Sequence, residues 1–472
     1  MLNRVKKNVK KAINEYGSTH TTFRAGSRKV MHSYYYMHNA FDTFYIRTDP
    51  RVVMFASFEG RSYSDSPKAL FEYMVKCGVF DGFTFVWGFK KNVKAYEKEL
   101  HRIAAHLVQE RGVPKNAAAD DENPAQAGPA EAASPAGPRI IVVRYNSVDW
   151  RKYQAKAKYW IYNFKIADEI YPKKDQIFLQ CWHGVPLKRL GFDLEHFDSA
   201  TNTEEGIKRR YAAEAEKFMY FLTPCPYATE KFTSAWQMDV IGKTDCLLEE
   251  GYPRDDILVK YTPEMVSEIK RRIFGEYFPE YEKLSGKKTM ILYAPTYRAD
   301  EYEVGKGHTV GQHIDFDRMR DLFGDDCVIL FRAHYLVAEL FDFEKYRGFV
   351  FNVSDVDDIN DLYLISDMMI TDYSSSMFDY AILKRPMIFY MYDLEHYRDE
   401  SNGFYFDPYE VLPGPIVKDE DALFEAVRAA KEAFVYDERY AAFNARFNPL
   451  ADGKSSYRVL RRLFAGKEHR NA

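Results

Sequence analysis

The sequence predicts an α/β protein made of two doubly wound halves that face each other across a cleft. Short apolar runs alternate with amphipathic helical segments, and this alternation occurs twice, from about residue 51 and again from about residue 250. Strands separated by helices pair in parallel, because the crossover returns the chain in the same direction. Length adds a third observation: 472 residues exceed what one ordinary core accommodates.

Residues 1–50 precede the pattern and read as an appendage. Leu2, Val5, Val9, Ala12, Ile13 and Tyr16 recur at helical spacing, with Arg4, Lys6, Lys7, Lys10 and Lys11 on the remaining faces. A basic amphipathic helix over 2–16 suits an anionic membrane surface, and suits a solvated terminal helix equally well. The aromatic stretch from Tyr34 to Tyr45 can dock on the protein body or on lipid headgroups.

The first Rossmann-like half is expected over 51–247. Strands are predicted at Val52–Ser57, Phe83–Trp87, Ile140–Arg144, Lys158–Tyr162 and Gln176–Gln180, and helices at Lys68–Lys76 and Val93–Leu107. An Ala/Pro/Gly-rich tract at 113–138 interrupts the series. It lacks apolar periodicity, and Pro124, Pro129 and Pro135 oppose a helix, so it reads as a disordered surface insertion. The second half, 248–472, is predicted to hold strands at Met290–Tyr293, Val328–Phe331, Gly348–Phe351, Met368–Ile370 and Met387–Tyr390, with three closing helices after Asp419.

Composition narrows the function. The chain is 46% hydrophobic and 29% charged, as expected of a folded protein, and its net charge of −4 argues against a general nucleic-acid binder. Five cysteines without a Cys-x-x-Cys pair suggest neither a zinc site nor a disulfide framework, and fit a reducing compartment. With no apolar run of about 18 residues and no signal-peptide core, a cytoplasmic protein is expected.

Chemistry-bearing motifs fall at strand ends, where open parallel sheets bind ligands. Cys181-Trp182-His183-Gly184-Val185-Pro186-Leu187-Lys188-Arg189 follows the Gln176–Gln180 strand. His183 there is either a base for an attacking hydroxyl or a structural histidine. Tyr293-Ala294-Pro295-Thr296-Tyr297-Arg298 ends another strand. In Phe331-Arg332-Ala333-His334-Tyr335, Arg332 and His334 share one side if the strand continues, an arrangement suited to a phosphate. The segment from Ile370 through Thr371, Asp372, Tyr373, Ser374 and Ser375 to Asp379 places small hydroxyl residues where a helix opens after a strand. Free N–H groups and the helix dipole attract phosphate at such a turn, and serines also serve there as caps. Asp315-x-Asp317 and Asp355-x-Asp357 match a loose metal-site pattern but read better as helix caps. No phosphate-loop or dinucleotide fingerprint occurs.

Taken together, SFEGRSYSDSPKALFEYM, AKAKYWIYNF, CWHGVPLKRLG, GYPRDD, ILYAPTYR, FRAHY, ISDMMITDYSSSMFDYAILKRPMIFYMYDLEHYRDE and GFYFDPYEVLPGP resemble the CDP-glycerol glycerophosphotransferase family of teichoic acid primases and polymerases. The resemblance runs from about Phe55 to Pro415. It implies a GT-B-like fold whose second half holds the CDP donor. It also implies catalytic roles for His183 and His334, and donor contacts at His183, Gly184, Val185, Pro186, Leu187, Arg254, Pro295, Thr296, Arg332, Ser374, Ser375 and Asp379. Val185 stands where Thr is common and Tyr297 where Trp is common.

The implied reaction moves a polyol phosphate from a CDP-polyol to a lipid-linked glycan or a polyol-phosphate polymer at the inner face of the membrane. An acceptor hydroxyl deprotonated by His183 attacks the β-phosphorus, and CMP leaves. Arg332, His334 and the Thr371–Ser375 turn neutralise the pyrophosphate, so neither cofactor nor metal is expected. The alternatives are CDP-ribitol as donor, and a non-catalytic glycan-binding scaffold of the same fold.

Overall fold

The computed structural model describes residues 33, 36–37, 39–111, 137–195, 203–275, 288–296, 302–303, 307–308, 314–332, 341–400 and 403–464. The basic stretch 2–16, residues 113–136 of the Ala/Pro/Gly-rich tract, Tyr297, Ala333 and His334 lie outside them.

Near-continuous apolar runs form strands covered on both faces, as parallel sheets require. The first sheet comprises β1 (Asp49–Ala56), β2 (Thr84–Phe89), β3 (Arg139–Arg144), β4 (Ala157–Tyr162), β5 (Ile177–Gln180), β6 (Tyr220–Thr223) and β7 (Leu247–Glu249). Its order is β3-β2-β1-β4-β5-β6-β7, and every pairing is parallel. The second half contributes β8 (Thr289–Ala294), a small antiparallel pair β9 (Tyr302–Glu303) and β10 (Gly307–His308), then β11 (Cys327–Phe331), β12 (Val350–Asn352), β13 (Met368–Thr371), β14 (Met387–Tyr390) and β15 (Ile416–Val417). Its sheet is ordered β12-β11-β8-β13-β14-β15, again all parallel.

In both sheets the strand order reverses beside the first strand, between β1 and β4 and between β8 and β13. Loops diverge at these switch points and leave a crevice at the carboxyl ends of the strands. This is the doubly wound pair that the sequence predicts. Strands β6, β7 and β15 are additional. They are four, three and two residues long, too short to show a periodicity. Strand β12 starts two residues later than expected because Gly348 adopts φ 81°, outside the strand region.

One apolar core runs through both halves, from Val53 and Phe85 to Met369 and Tyr380. A second lies within the second half, around Ile291, Ile329 and Leu423. Three helices close the chain as predicted, at Glu420–Ala433, Glu438–Phe447 and Ser455–Phe464. The last returns to the first half, where Phe464 meets Phe80 at 4.8 Å and Tyr159 at 4.3 Å between ring centroids.

Polar contacts also cross between the halves. Asp357 accepts from the Tyr63 backbone N–H (3.2 Å) and the Tyr96 hydroxyl (2.7 Å), and Lys68 pairs with Asp358 at 2.7 Å. Asp358 also caps the helix Ile359–Ile365, and Asp315 caps Phe316–Phe323. Among the described residues no group of three or more His, Cys, Asp or Glu is placed to hold a metal, and no helix is long and apolar enough to cross a membrane. All five cysteines are unpaired.

Gly88 lets the buried Trp150 ring lie directly on β2: a Cβ there would sit 2.1 Å from the ring. Gly88→Ala should therefore destabilise the first half by about 1–3 kcal/mol, the usual cost of overpacking, measured as a lower denaturant midpoint.

Candidate active site

Backbone strain marks the edge of the first sheet that faces the crevice. After β1 the chain passes through three successive left-handed residues, Phe58 (φ 47°), Glu59 (φ 59°) and Gly60 (φ 76°). Such conformations are costly for residues other than glycine and persist only where the surroundings enforce them. Here the Phe58 N–H donates to the Asn163 side-chain oxygen at 2.8 Å, and Glu59 pairs with Lys90. At Gly60 a Cβ would lie 2.7 Å from the Gly88 carbonyl oxygen.

His183 follows β5 beside this loop. Trp182, also left-handed at φ 51°, stacks its indole on the imidazole at 4.4 Å and meets Trp236 edge-on at 4.8 Å. His183 Nδ1 lies 3.1 Å from the Asn163 carbonyl oxygen. A carbonyl only accepts, so Nδ1 carries the proton and Nε2 presents its lone pair. The ring reaches solvent through the crevice yet is crowded by protein on its other sides. That desolvation holds its pKa below the ordinary 6.5, opposed by the Asn163 carbonyl and Asp65 and reinforced by Arg254. A neutral imidazole with a free Nε2 can take a proton.

Gly184 brings the two halves together. A Cβ on Gly184 would lie 2.5 Å from the Ser375 hydroxyl oxygen, so the histidine loop and the serine turn touch where a side chain is missing. Neighbouring backbone groups are pinned: the Gly184 carbonyl accepts from the Tyr252 hydroxyl (3.1 Å), Pro186 from Tyr227 (3.0 Å), and Leu187 from the Tyr405 N–H (3.0 Å). The Val185 and Leu187 side chains are buried in the core, leaving their backbone as the part that can meet a ligand.

In the second half, Pro295 and Thr296 follow β8 half-buried, and the Thr296 N–H donates to Asp372 at 2.9 Å. Ser374 accepts from the Ser376 hydroxyl at 2.9 Å, and Ser375 stands at the start of the helix Ser376–Tyr380 without capping it. Arg332, half-buried at the end of β11, donates to the Val356 carbonyl at 2.7 Å. The structure thus sets Gly184 against Ser375, with His183 and Ser374 their chain neighbours, and places Pro295, Thr296 and Arg332 just past the carboxyl ends of β8 and β11.

Three expected contacts have other work. The Thr371 hydroxyl is buried and bonded to the Ala294 carbonyl at 2.8 Å, so it joins β13 to β8. Arg254 is 4% exposed and spends its guanidinium on carboxylates: Nε and Nη2 on the two oxygens of Asp379 (3.1 and 3.0 Å), Nη1 on Asp65 (3.1 Å). Arg254 and Asp379 therefore form, with Asp65, a buried strut between the halves rather than open donor contacts.

Residues 39–117 and 126–465 match a family model described as CDP-glycerol:poly(glycerophosphate) glycerophosphotransferase. The chain belongs to that family. This glycerophosphotransferase is 34% identical over 433 residues to the teichoic acid glycerol-phosphate transferase of Staphylococcus aureus, covering 90% of this chain and 97% of the relative. It is 32% identical to the teichoic acid poly(glycerol phosphate) polymerase of Bacillus subtilis, covering 88% of this chain but only 48%, about half, of that longer relative. Its fold is similar to the solved wall teichoic acid polymerase TagF, with TM-score 0.73 at 31% identity over 94% of this chain and 97% of the other. The GT-B-like architecture and the transferase class are thereby established.

Sequence reasoning assigned no role to Asp65 or Asn163, although both stand inside segments that carry the family resemblance. Their signal was position after β1 and β4, the pair that flanks the switch point. A direct check of the crevice follows from its closest contact. Gly184→Ala must push the serine turn outward, and should lower turnover by about 10²-fold, the loss expected for an ångström of misplacement, while the melting temperature falls by only a few degrees.

Proposed function

We propose that this enzyme transfers glycerol phosphate from CDP-glycerol to the hydroxyl end of a teichoic-acid-type acceptor, with His183 as general base. The observation that carries the reading is the Asn163 carbonyl at His183 Nδ1, which leaves Nε2 as the proton acceptor in the crevice. The acceptor oxygen bonds to the glycerol-bearing phosphorus, the bond from that phosphorus to the CMP oxygen breaks, and the hydroxyl proton passes to Nε2. Ser374, Ser375 and the N–H groups of their turn, with Arg332, face the diphosphate, and His334 is assigned to the same task. Catalysis is then mostly positioning and charge stabilisation.

Glycerol is favoured over ribitol as the carried polyol because relatives named for ribitol phosphate match less of the chain than those named for glycerol phosphate. The reading needs no metal or cofactor. In its support, Asp315 caps a helix and Asp357 bonds across the halves, so one carboxylate of each acidic pair already has a partner.

CMP release from CDP-glycerol in the presence of a lipid-linked disaccharide tests the function; release with CDP-ribitol alone would transfer the reading to that polyol. His183→Ala should lower kcat by roughly 10²–10⁴-fold with little change in donor affinity. In the wild type the base must be neutral, so kcat/KM falls as pH drops through its pKa. Because that pKa is lowered, the acid limb should lie below pH 6.5, and it should vanish in His183→Ala.

We further propose peripheral attachment to the inner face of the membrane, where a lipid-linked acceptor is presented. Residues 39–45 are helical and expose Phe41, Phe44 and Tyr45, with Phe44 82% exposed. Aromatic side chains favour the membrane interface, and each of Arg4, Lys6, Lys7, Lys10 and Lys11 would add about 1 kcal/mol near anionic lipid. Phe41→Ser/Phe44→Ser should weaken co-sedimentation with phosphatidylglycerol vesicles and spare transfer to a soluble acceptor analogue. Equal binding of variant and wild type would remove this helix from the contact.

A further inference from the structure

We propose that Asp65 is a positioning residue of the transfer reaction, which acts through Arg254 to hold the His183 loop and the serine turn in one register. The inference rests on His183 being the base and deepens that reading. A closed ring of contacts supports it. Gly184 abuts Ser375, and the helix that starts after Ser375 carries Asp379. Asp379 takes two bonds from Arg254, whose guanidinium lies 4.3 Å over the Tyr252 ring. The Tyr252 hydroxyl then returns to the Gly184 carbonyl at 3.1 Å.

Asp65 ties this ring to the first half. It opens the helix Asp65–Cys77 in a left-handed conformation, φ 63°, which aspartate adopts more readily than most residues because its carboxylate can bond the local backbone. One carboxylate oxygen accepts from the Ser66 N–H at 2.5 Å, and the other reaches Arg254 Nη1 at 3.1 Å. Asp65, Arg254 and Asp379 are all buried, so their bonds are sheltered from water and directional.

The cluster has more acid than base. Asp255 lies 3.6 Å from Arg254 Nε, and its Oδ1 has no hydrogen-bond partner. Burial first, then the charge of Asp379, pushes its pKa up, which favours the neutral form. One guanidinium is left to serve Asp65 and Asp379. Among the described residues the charged groups that act on His183 are Asp65, whose field favours the imidazolium, and Arg254, whose field opposes it. The other neighbours among the described residues carry no charge: Trp182, Phe58, the Asn163 carbonyl, Ser375 across the crevice at Gly184, and Cys181, whose thiol burial keeps protonated.

The test measures two quantities in the full chain: kcat for CMP release, and the pH midpoint of His183 modification by diethyl pyrocarbonate, read as the difference from the His183→Ala protein. Asp65→Asn should lower kcat by about tenfold or more and move the midpoint to lower pH by roughly half a unit or more. Asp65→Glu, which keeps the charge but displaces it, should lower kcat and leave the midpoint in place. A purely structural role would lower the melting temperature without moving the midpoint. A midpoint unchanged in folded Asp65→Asn, or a wild-type kcat in Asp65→Glu, overturns the proposal. Normal turnover in His183→Ala would instead remove the base assignment, while the midpoint still reads whether Asp65 governs the ring.

Discussion

The buried ion pairs of Arg254 are the constraint on which the crevice depends. Two doubly wound sheets joined by a few crossings have no intrinsic reason to present their switch points to each other at contact distance. Arg254, in the short turn Pro253–Asp255, reaches both Asp65 of the first half and Asp379 of the second. Burying such charges adds little net stability, because desolvation offsets attraction, but removing one partner strands the others and typically costs about 3–5 kcal/mol. The cluster therefore acts as a specifier of geometry. It selects the arrangement in which Gly184 lies against Ser375, and disfavours neighbouring ones by leaving charges unpaired.

A second layer of rigidity surrounds the proposed base. Trp182 stacks on His183 and is itself held edge-on by Trp236 and Phe221, while Asn163 uses its carbonyl on the imidazole and its side chain on the strained Phe58 loop. Strain at Phe58, Glu59 and Trp182 is concentrated on one sheet edge. The surrounding fold must sustain that cost, and in return the groups need little reorganisation when charge develops during phosphoryl transfer.

Much of this was legible beforehand. The alternation of apolar runs with helical segments gave two parallel sheets, and the Gly, Pro and Ser residues at strand ends marked the loops that line the crevice. Strands β6, β7 and β15 were missed because two to four residues carry no period, and Gly348 was placed in a strand that its positive φ forbids. Asp357 was expected as a cap and instead bonds across the halves to Tyr63 and Tyr96, 294 and 261 residues away in sequence.

Arg254 shows where local information stops. Its segment, GYPRDD, helps to identify the family, and family likeness suggested a donor contact. An arginine with every nitrogen engaged looks the same in sequence as one that waits for a phosphate. What separates them is the company brought by the chain from 189 residues before and 125 residues after. Hydrophobic pattern and turn chemistry are properties of neighbours in sequence, so the chain by itself determined the two sheets, their loops and the family. The pairing of buried charges depends on which distant groups lose their water together, and only the tertiary structure decided that.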